Sequence, residues 1–265
     1  MNKYLFRHLK ELEEFKLDKK TALITDIDGT ISKIAPTPEQ AQISPSMRSI
    51  LIKLRNKFKL VAFISGRSVF DAQRMVGIDG MLYVGSHGLE YLKNGERNTE
   101  IDLEKYLPSL KKTFEEIKTC DLAQIPGIVF EDKQLCLSFH YRQCENPKEV
   151  REKIIDALRS FPETKKLQIT QGRKVVDIRP PGHDKGLILE KIIQRYQLKK
   201  VIYLGDDITD SDAFNKLNEL SAGKKIKAVS ILVLSSEIPN YIKKSSSFYV
   251  EGVDEVQRFF KWLLS

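Results

Sequence analysis

Cysteine is scarce. Cys120, Cys136 and Cys144 are the only three in 265 residues. Their odd number, the lack of CxxC spacing and the lack of a nearby histidine pair exclude a disulfide framework and a zinc module, so they read as small core hydrophobes. Long apolar runs are missing too. Leu60–Ile64 and Val229–Leu234 are strand-sized and far short of the ~20 residues that a membrane helix needs. Met1–Lys20 is crossed by charges and has no uninterrupted apolar core of a signal peptide, which makes a cytoplasmic location the expectation. There is no internal repeat, low-complexity tract, zinc-finger spacing or aromatic RNA-binding motif. The net charge of +8, from 44 Lys+Arg against 36 Asp+Glu, would suit an anionic ligand or a nucleic acid. The basic residues, however, are spread along the chain in pairs such as Lys19-Lys20 and Lys111-Lys112 and form no arm. They read as a solvated surface, and neither nucleic acid nor membrane is an expected partner.

What is present is an ordinary soluble composition, 41% hydrophobic and 30% charged, in a chain longer than one average domain and short for two. One large domain with an insertion fits that length. Short apolar runs at Ala22–Ile27, Leu60–Ile64, Met81–Val84, Val201–Leu204 and Ile226–Leu234 predict buried strands. Between them lie helical patterns. Ser44-Pro45 opens one, with Met47, Ile50, Leu51 and Leu54 at helical spacing. Others run from Ser68 to Val76, Lys185 to Tyr196 and Asp210 to Leu220, and Val253–Leu264 is amphipathic. Such alternation predicts an α/β fold, a doubly wound, Rossmann-like parallel sheet covered on both faces. The middle changes character: helix Leu103–Lys118, strands Gly127–Phe130 and Gln134–Arg142 around Asp132-Lys133, helix Pro147–Ser160, then strands Lys166–Thr170 and Lys174–Ile178. This predicts an α+β module at 104–178 inserted between core segments 1–103 and 179–265.

The chemistry gathers at strand ends, where ligands collect in open α/β sheets. Asp26 and Asp28, in Asp26-Ile27-Asp28-Gly29-Thr30, stand where the first strand runs out. One carboxylate there can attack phosphorus and the second can serve as acid and base; a polar turn has the same composition. Ser65 ends the second strand, placed either to hold a phosphoryl oxygen or to cap the next helix. Lys185 opens a helix, a poor place for a cation on dipole grounds, which points to another task. Gly205-Asp206-Asp207-Ile208-Thr209-Asp210 crowds three carboxylates at one strand end. Helix capping accounts for one of them; a hard divalent cation, magnesium above all, accounts for all. Together these groups make one phosphoryl-transfer site.

Those four segments, in that order, resemble the haloacid dehalogenase superfamily. More narrowly, Ile64–Ser68, Gly85-Ser86-His87-Gly88-Leu89-Glu90, Glu131-Asp132-Lys133, His140-Tyr141-Arg142 and Gly205–Phe214 resemble the trehalose-6-phosphate phosphatases over roughly residues 20–262. The resemblance implies Asp26 as the phosphorylated nucleophile and Asp28 as general acid/base, with Ser65 and Lys185 completing the catalytic set. It implies magnesium held by Asp26, the Asp28 carbonyl and Asp206, supported by Asp207 and Asp210. The inserted module becomes a substrate-selecting cap. Arg67, His87, Glu131, Lys133, Arg142 and Asp177 are the implied contacts to a small sugar phosphate, and a monomer or weak oligomer is the implied assembly. Asp177 stands where the family usually has Glu, so sucrose 6-phosphate and glucosylglycerol phosphate stay open as substrates beside trehalose 6-phosphate. A phosphoacceptor receiver domain is the reading from another class. It shares the acidic cluster and the Lys but lacks the insertion and a counterpart of Asp28.

Overall fold

Nearly every residue of the predicted strands is apolar, and the structure, a computed structural model describing residues 2–99, 102–235 and 242–265, shows why. The strands lie in a sheet with hydrophobic packing on both sides. In chain order the strands are β1 (Lys3–Tyr4), β2 (Thr21–Thr25), β3 (Leu60–Ile64), β4 (Leu82–Gly85), β5 (Glu90–Lys93), β6 (Glu96–Thr99), β7 (Val129–Asp132), β8 (Leu137–His140), β9 (Gln168–Gly172), β10 (Val175–Arg179), β11 (Lys200–Gly205), β12 (Lys227–Val233) and β13 (Phe248–Val250). The helices are α1 (Glu13–Leu17), α2 (Pro45–Lys57), α3 (Val69–Val76), α4 (Leu107–Thr119), α5 (Pro147–Ser160), α6 (Lys185–Arg195), α7 (Asp210–Ala222) and α8 (Val253–Leu264).

The larger sheet has the order β1-β13-β12-β11-β2-β3-β4-β5-β6. Neighbours from β1 to β4 run parallel, and β5 runs antiparallel to β4. Alternate side chains of one strand serve opposite faces. Leu23, Val61, Phe63, Tyr83, Ile202 and Leu204 pack with the apolar stripes of α2, α3 and α8. Ala22, Ile24, Ala62, Ile64, Val201 and Tyr203 pack with those of α6 and α7. The doubly wound α/β expectation holds for the central strands; β5 and β6 extend it as an antiparallel edge. Helix starts follow sequence chemistry. Ser44 accepts from the Met47 amide with Pro45 in the first turn, and Asp184 accepts from the Leu187 amide at the mouth of α6.

The chain divides into two compact units, residues 1–98 with 184–265, and residues 99–183. The second lies slightly outside the span 104–178 on both sides. Its own sheet, β7-β8-β10-β9, is antiparallel throughout. Phe139, Val176 and Ile178 pack with Leu110 and Ile117 of α4 and with Ile154 and Leu158 of α5. The alternate positions are polar: Glu131, Ser138, Asp177 and Thr170 sit opposite one another in a row across the four strands. The predicted helix from Leu103 is instead a 3-10 turn at Leu103–Lys105 followed by α4, with Pro108 in the first turn of α4. The predicted strand Gln134–Arg142 begins only at Leu137, because Gln134 takes a left-handed φ of +69° in the loop that closes the hairpin.

Candidate active site

The central strands β11, β2 and β3 are adjacent and parallel, so their carboxyl ends bring three sequence-distant loops together. Asp26 follows β2 directly, and its amide donates to the Leu204 carbonyl of β11 at 2.9 Å. The next residues fold into a tight knot in which the amides of Thr30, Ile31 and Ser32 all donate to the Ile27 carbonyl. Gly29 is required twice over. Its φ is +77°, and a Cβ there would lie 1.9 Å from Oδ2 of Asp206. The bare backbone lets the β2 and β11 loops meet.

Lys185, at the first turn of α6, is almost fully buried. Its Nζ lies 2.7 Å from Oδ1 of Asp210 and 3.2 Å from Oδ2 of Asp26. This explains the cation at an unfavourable helix end: its partners are carboxylates from two other loops. Asp210 is fully buried and accepts from four donors. Oδ1 takes the Lys185 ammonium and the Tyr203 hydroxyl, at 2.6 Å, and Oδ2 takes the amides of Asp206 and Asp207, both at 3.0 Å. Asp210 therefore organises the acidic loop. Tyr203 was not among the expected site residues, since a tyrosine inside an apolar strand reads as core. Burial and the neighbouring Asp210 carboxylate hold its hydroxyl well above its usual value, so it stays a donor.

Electrostatics set Asp26 apart. Burial pushes its carboxyl up, Lys185 opposes that, and the negative neighbours Asp210 and Asp28 add to it, leaving it at about 8. Lys185 is shifted the other way. Burial alone would discharge it, but Asp210 and Asp26 raise it further above the usual lysine value. Asp26, Asp206 and Asp210 offer carboxylate oxygens within 4.8 Å of one another. An all-oxygen, buried, net-negative donor set of this kind fits a hard divalent cation such as magnesium. With both Asp210 oxygens engaged by donors, Asp26 and Asp206 are the better-placed direct ligands. Asp207 receives the Ile208 amide on its own Oδ1 at 2.7 Å and borders the cluster.

Ser65 follows β3 directly and is buried, its amide donating to the Val84 carbonyl. The helix cap is Ser68 instead, whose hydroxyl accepts from the Asp71 amide at 3.2 Å. Ser65 Oγ accepts from the Arg67 amide at 3.2 Å. Arg67, expected against substrate, makes a two-pronged ion pair with Asp28, Nε to Oδ2 at 2.7 Å and Nη2 to Oδ1 at 2.8 Å. The same Nη2 donates to the Pro38 carbonyl. His87 is buried, with its ring against Gly66.

Within the inserted unit, Glu131 Oε2 lies 2.8 Å from Nε2 of His140 and 3.5 Å from Nζ of Lys133. Burial alone would raise the Glu131 carboxyl, but the His140 contact and the Lys133 charge hold it below the usual range. His140 was not among the expected site residues; it entered only as part of the His140-Tyr141-Arg142 fragment. Asp177 is buried and accepts a hydrogen bond from the Ser138 hydroxyl directly across β8 and β10. Arg142 lies past the end of β8 and donates to the Arg173 carbonyl at 3.1 Å. Glu131, Lys133 and Asp177 thus belong to one polar cluster and Arg142 to the neighbouring turn. Cys136 is buried with its thiol pushed up to about 12 by desolvation, as expected of a core hydrophobe. Among the described residues no helix is long and apolar enough to cross a membrane.

Comparison with known proteins finds one family. The trehalose-phosphatase family model matches residues 24–253. The chain is 30% identical to trehalose-phosphate phosphatase B of Arabidopsis thaliana, over 93% of this chain and 67% of that protein. It is 32% identical to the probable trehalose-phosphate phosphatase 2 of rice (Oryza sativa subsp. japonica), over 93% and 69%. In fold it is similar to the C-terminal domain of C. albicans trehalose-6-phosphate phosphatase, with a TM-score of 0.84 and 21% identity across 99% of this chain and 98% of that one. Since the family match runs from within β2 to the start of α8 and includes every loop of the site, the chain belongs to the trehalose-phosphatase family.

Proposed function

We propose that this protein hydrolyses trehalose 6-phosphate to trehalose and phosphate by way of a phosphorylated Asp26. The observation that carries the reading is the buried chain Asp26–Lys185–Asp210 at the carboxyl end of β2, with a second carboxylate, Asp28, two residues on. Asp26 lies at a strand end with one oxygen on a buried ammonium. That contact fixes the carboxylate and offsets part of the cost of its charge. Its oxygen attacks phosphorus, the phosphorus–oxygen bond to the sugar breaks, and Asp28 gives a proton to the departing sugar oxygen. Asp28 then takes a proton from the water that attacks the phosphoryl group on Asp26, which returns both carboxyls to their starting states. Ser65, with its hydroxyl at the end of β3, holds a phosphoryl oxygen. Arg67 fixes both oxygens of Asp28, so proton donation requires one oxygen to turn from the guanidinium toward the leaving group.

Magnesium would be held by Asp26, the Asp28 carbonyl and Asp206, backed by Asp207 and Asp210, and would neutralise charge on the phosphoryl oxygens. We assign recognition of the sugar hydroxyls to the cluster of Glu131, Lys133 and Asp177, with Arg142 and His87 as further contacts. Carboxylates and cations can each engage several hydroxyls. Asp177 is the shorter carboxylate in this cluster, with the Ser138 hydroxyl beside it on the same face.

The test is phosphate release from a panel of trehalose 6-phosphate, sucrose 6-phosphate, glucosylglycerol phosphate and glucose 6-phosphate. Trehalose 6-phosphate is expected to be turned over at least about tenfold faster in kcat/KM than the others, a difference of ~1.4 kcal/mol in transition-state binding. Chelation with EDTA is expected to lower every rate by at least about a hundredfold, and added magnesium to restore it. Equal rates across the panel would end the trehalose assignment. Full activity in EDTA would end the magnesium assignment.

A further inference from the structure

Glu90 is a fully buried carboxylate that the mechanism above does not use. It opens β5, and its three partners are unusual for a strand residue. Oε1 accepts from the Ser86 hydroxyl at 2.9 Å and from the Val69 amide, the first of α3, at 3.1 Å. Oε2 accepts from Nε of Arg97 at 2.8 Å. A fully buried carboxylate needs several donors in any role, so what sets Glu90 apart is where its donors come from. The bonds from Ser86 and Val69 tie together the segments on either side of the Ser65 loop.

The Ser86-His87-Gly88 turn that Glu90 grips is strained. Ser86 and His87 both have left-handed φ values, +49° and +56°, and Gly88 follows at +104°. Two consecutive L-residues hold such values only where surrounding contacts over-determine them. Those contacts run to the phosphoryl half of the site. The Ser86 amide donates to the Arg67 carbonyl at 2.7 Å, and the His87 amide donates to the Ser65 carbonyl at 3.1 Å. The His87 ring fills the space over Gly66, where a Cβ would come within 2.8 Å of it. From Arg67 the path continues through the guanidinium to both oxygens of Asp28.

We propose that Glu90 is a positioning residue, which clamps the Ser86–Gly88 turn onto the Ser65–Arg67 loop and thereby sets the placement of Ser65 and, through Arg67, of Asp28. The proposal rests on the reading of Ser65 and Asp28 as phosphoryl-handling groups. It deepens that reading by naming what holds them. Glu90 acts on the phosphoryl half of the reaction and not on the sugar, so its loss lowers turnover of any phosphate monoester alike.

The experiment compares wild type, Glu90→Gln and Ser86→Gly with trehalose 6-phosphate and with p-nitrophenyl phosphate, alongside melting temperatures and competitive inhibition by inorganic phosphate. Glu90→Gln keeps the shape and loses the charge. Its kcat is expected to fall about tenfold to a hundredfold on both substrates, with phosphate inhibition weakened by at least severalfold, because misplacement of about 1 Å has effects of that size. Ser86→Gly relieves the left-handed strain while deleting the hydroxyl, so its melting temperature holds or rises while kcat falls severalfold. A purely structural Glu90 gives the opposite pattern, with melting temperatures that move while kcat and phosphate inhibition stay at wild-type values in both variants. That pattern overturns the proposal. If Glu90→Gln does not fold, Ser86→Gly decides alone. Wild-type activity on p-nitrophenyl phosphate without activity on trehalose 6-phosphate removes the sugar assignment, and the p-nitrophenyl phosphate arms still decide on Glu90. Activity on neither substrate removes the phosphatase reading and the proposal with it.

Discussion

Asp26→Asn is expected to abolish turnover, with kcat down on the order of 10⁴-fold to 10⁶-fold, while the fold survives. The amide cannot form and release an acyl phosphate, and deleting a nucleophile typically removes nearly all catalysis beyond binding. The fold should survive because Asn has the same shape and the backbone bond from residue 26 to Leu204 needs no side chain. The substitution also carries a pH signature. In the metal-free protein the Asp26 carboxyl sits at about 8, above its unfolded value near 3.8. The folded state therefore holds a proton that the unfolded state has released. Stability from that proton is fully present below about pH 4 and is lost as the pH rises through about 8. Asparagine does not titrate. Melting curves in EDTA should thus show the variant gaining on the wild type from about pH 4 up to about pH 8 and holding that gain above it. A pH-independent difference between the two would contradict the assignment of the raised carboxyl to Asp26.

Asp210→Asn is expected to have the largest effect on stability of any single isosteric change in the site. Both oxygens of Asp210 accept, four donors in all, and the side chain is fully buried. An asparagine keeps one oxygen and turns an amino group toward donors at the other. Either the Asp206 and Asp207 amides or Lys185 and Tyr203 then face a donor, and the Lys185 charge is left with Asp26 alone. Breaking one partner of a buried, hydrogen-bonded charge network typically costs about 3–5 kcal/mol. In a chain of this size that is on the order of 10 °C in melting temperature. Turnover should fall with it by at least about a hundredfold, because the same amides place Asp206 and the same Lys185 holds Asp26. Differential scanning calorimetry and phosphate release check both. A variant that melts within two or three degrees of wild type and retains most of its kcat would show that Asp210 does not organise the loop.

The parts of this site that the chain announces are those on central parallel strands. β2, β3 and β11 are buried on both faces, so they appear as short, nearly unbroken apolar runs, and Asp26, Ser65 and Asp206 each stand just past one. Lys185 declared itself by being misplaced for its helix. The edges of the sheet were not legible for an equally physical reason. β1 has two residues, β13 has three, and β6 is exposed throughout, so none carries a burial pattern. The pairing of Arg67 with Asp28 spans 39 positions and depends on β2 and β3 being neighbours. Tyr203 was hidden by its setting, since an aromatic within Val201–Leu204 belongs to the core on one face and reaches Asp210 by its hydroxyl alone. Glu90 was visible only as a member of a recognisable fragment. Its partners come from three segments, which spacing in the chain cannot reveal.

The central claim, that Asp26 becomes phosphorylated, has a direct measurement. Enzyme mixed with trehalose 6-phosphate and magnesium is quenched in acid within milliseconds and reduced with borohydride, which converts an aspartyl phosphate to homoserine. Peptide mass spectrometry then locates the conversion. The account predicts homoserine at position 26, absent when substrate is omitted and absent in Asp26→Asn. Rapid phosphate release under the same conditions with position 26 unmodified, or with the phosphoryl group found on another side chain, would contradict it.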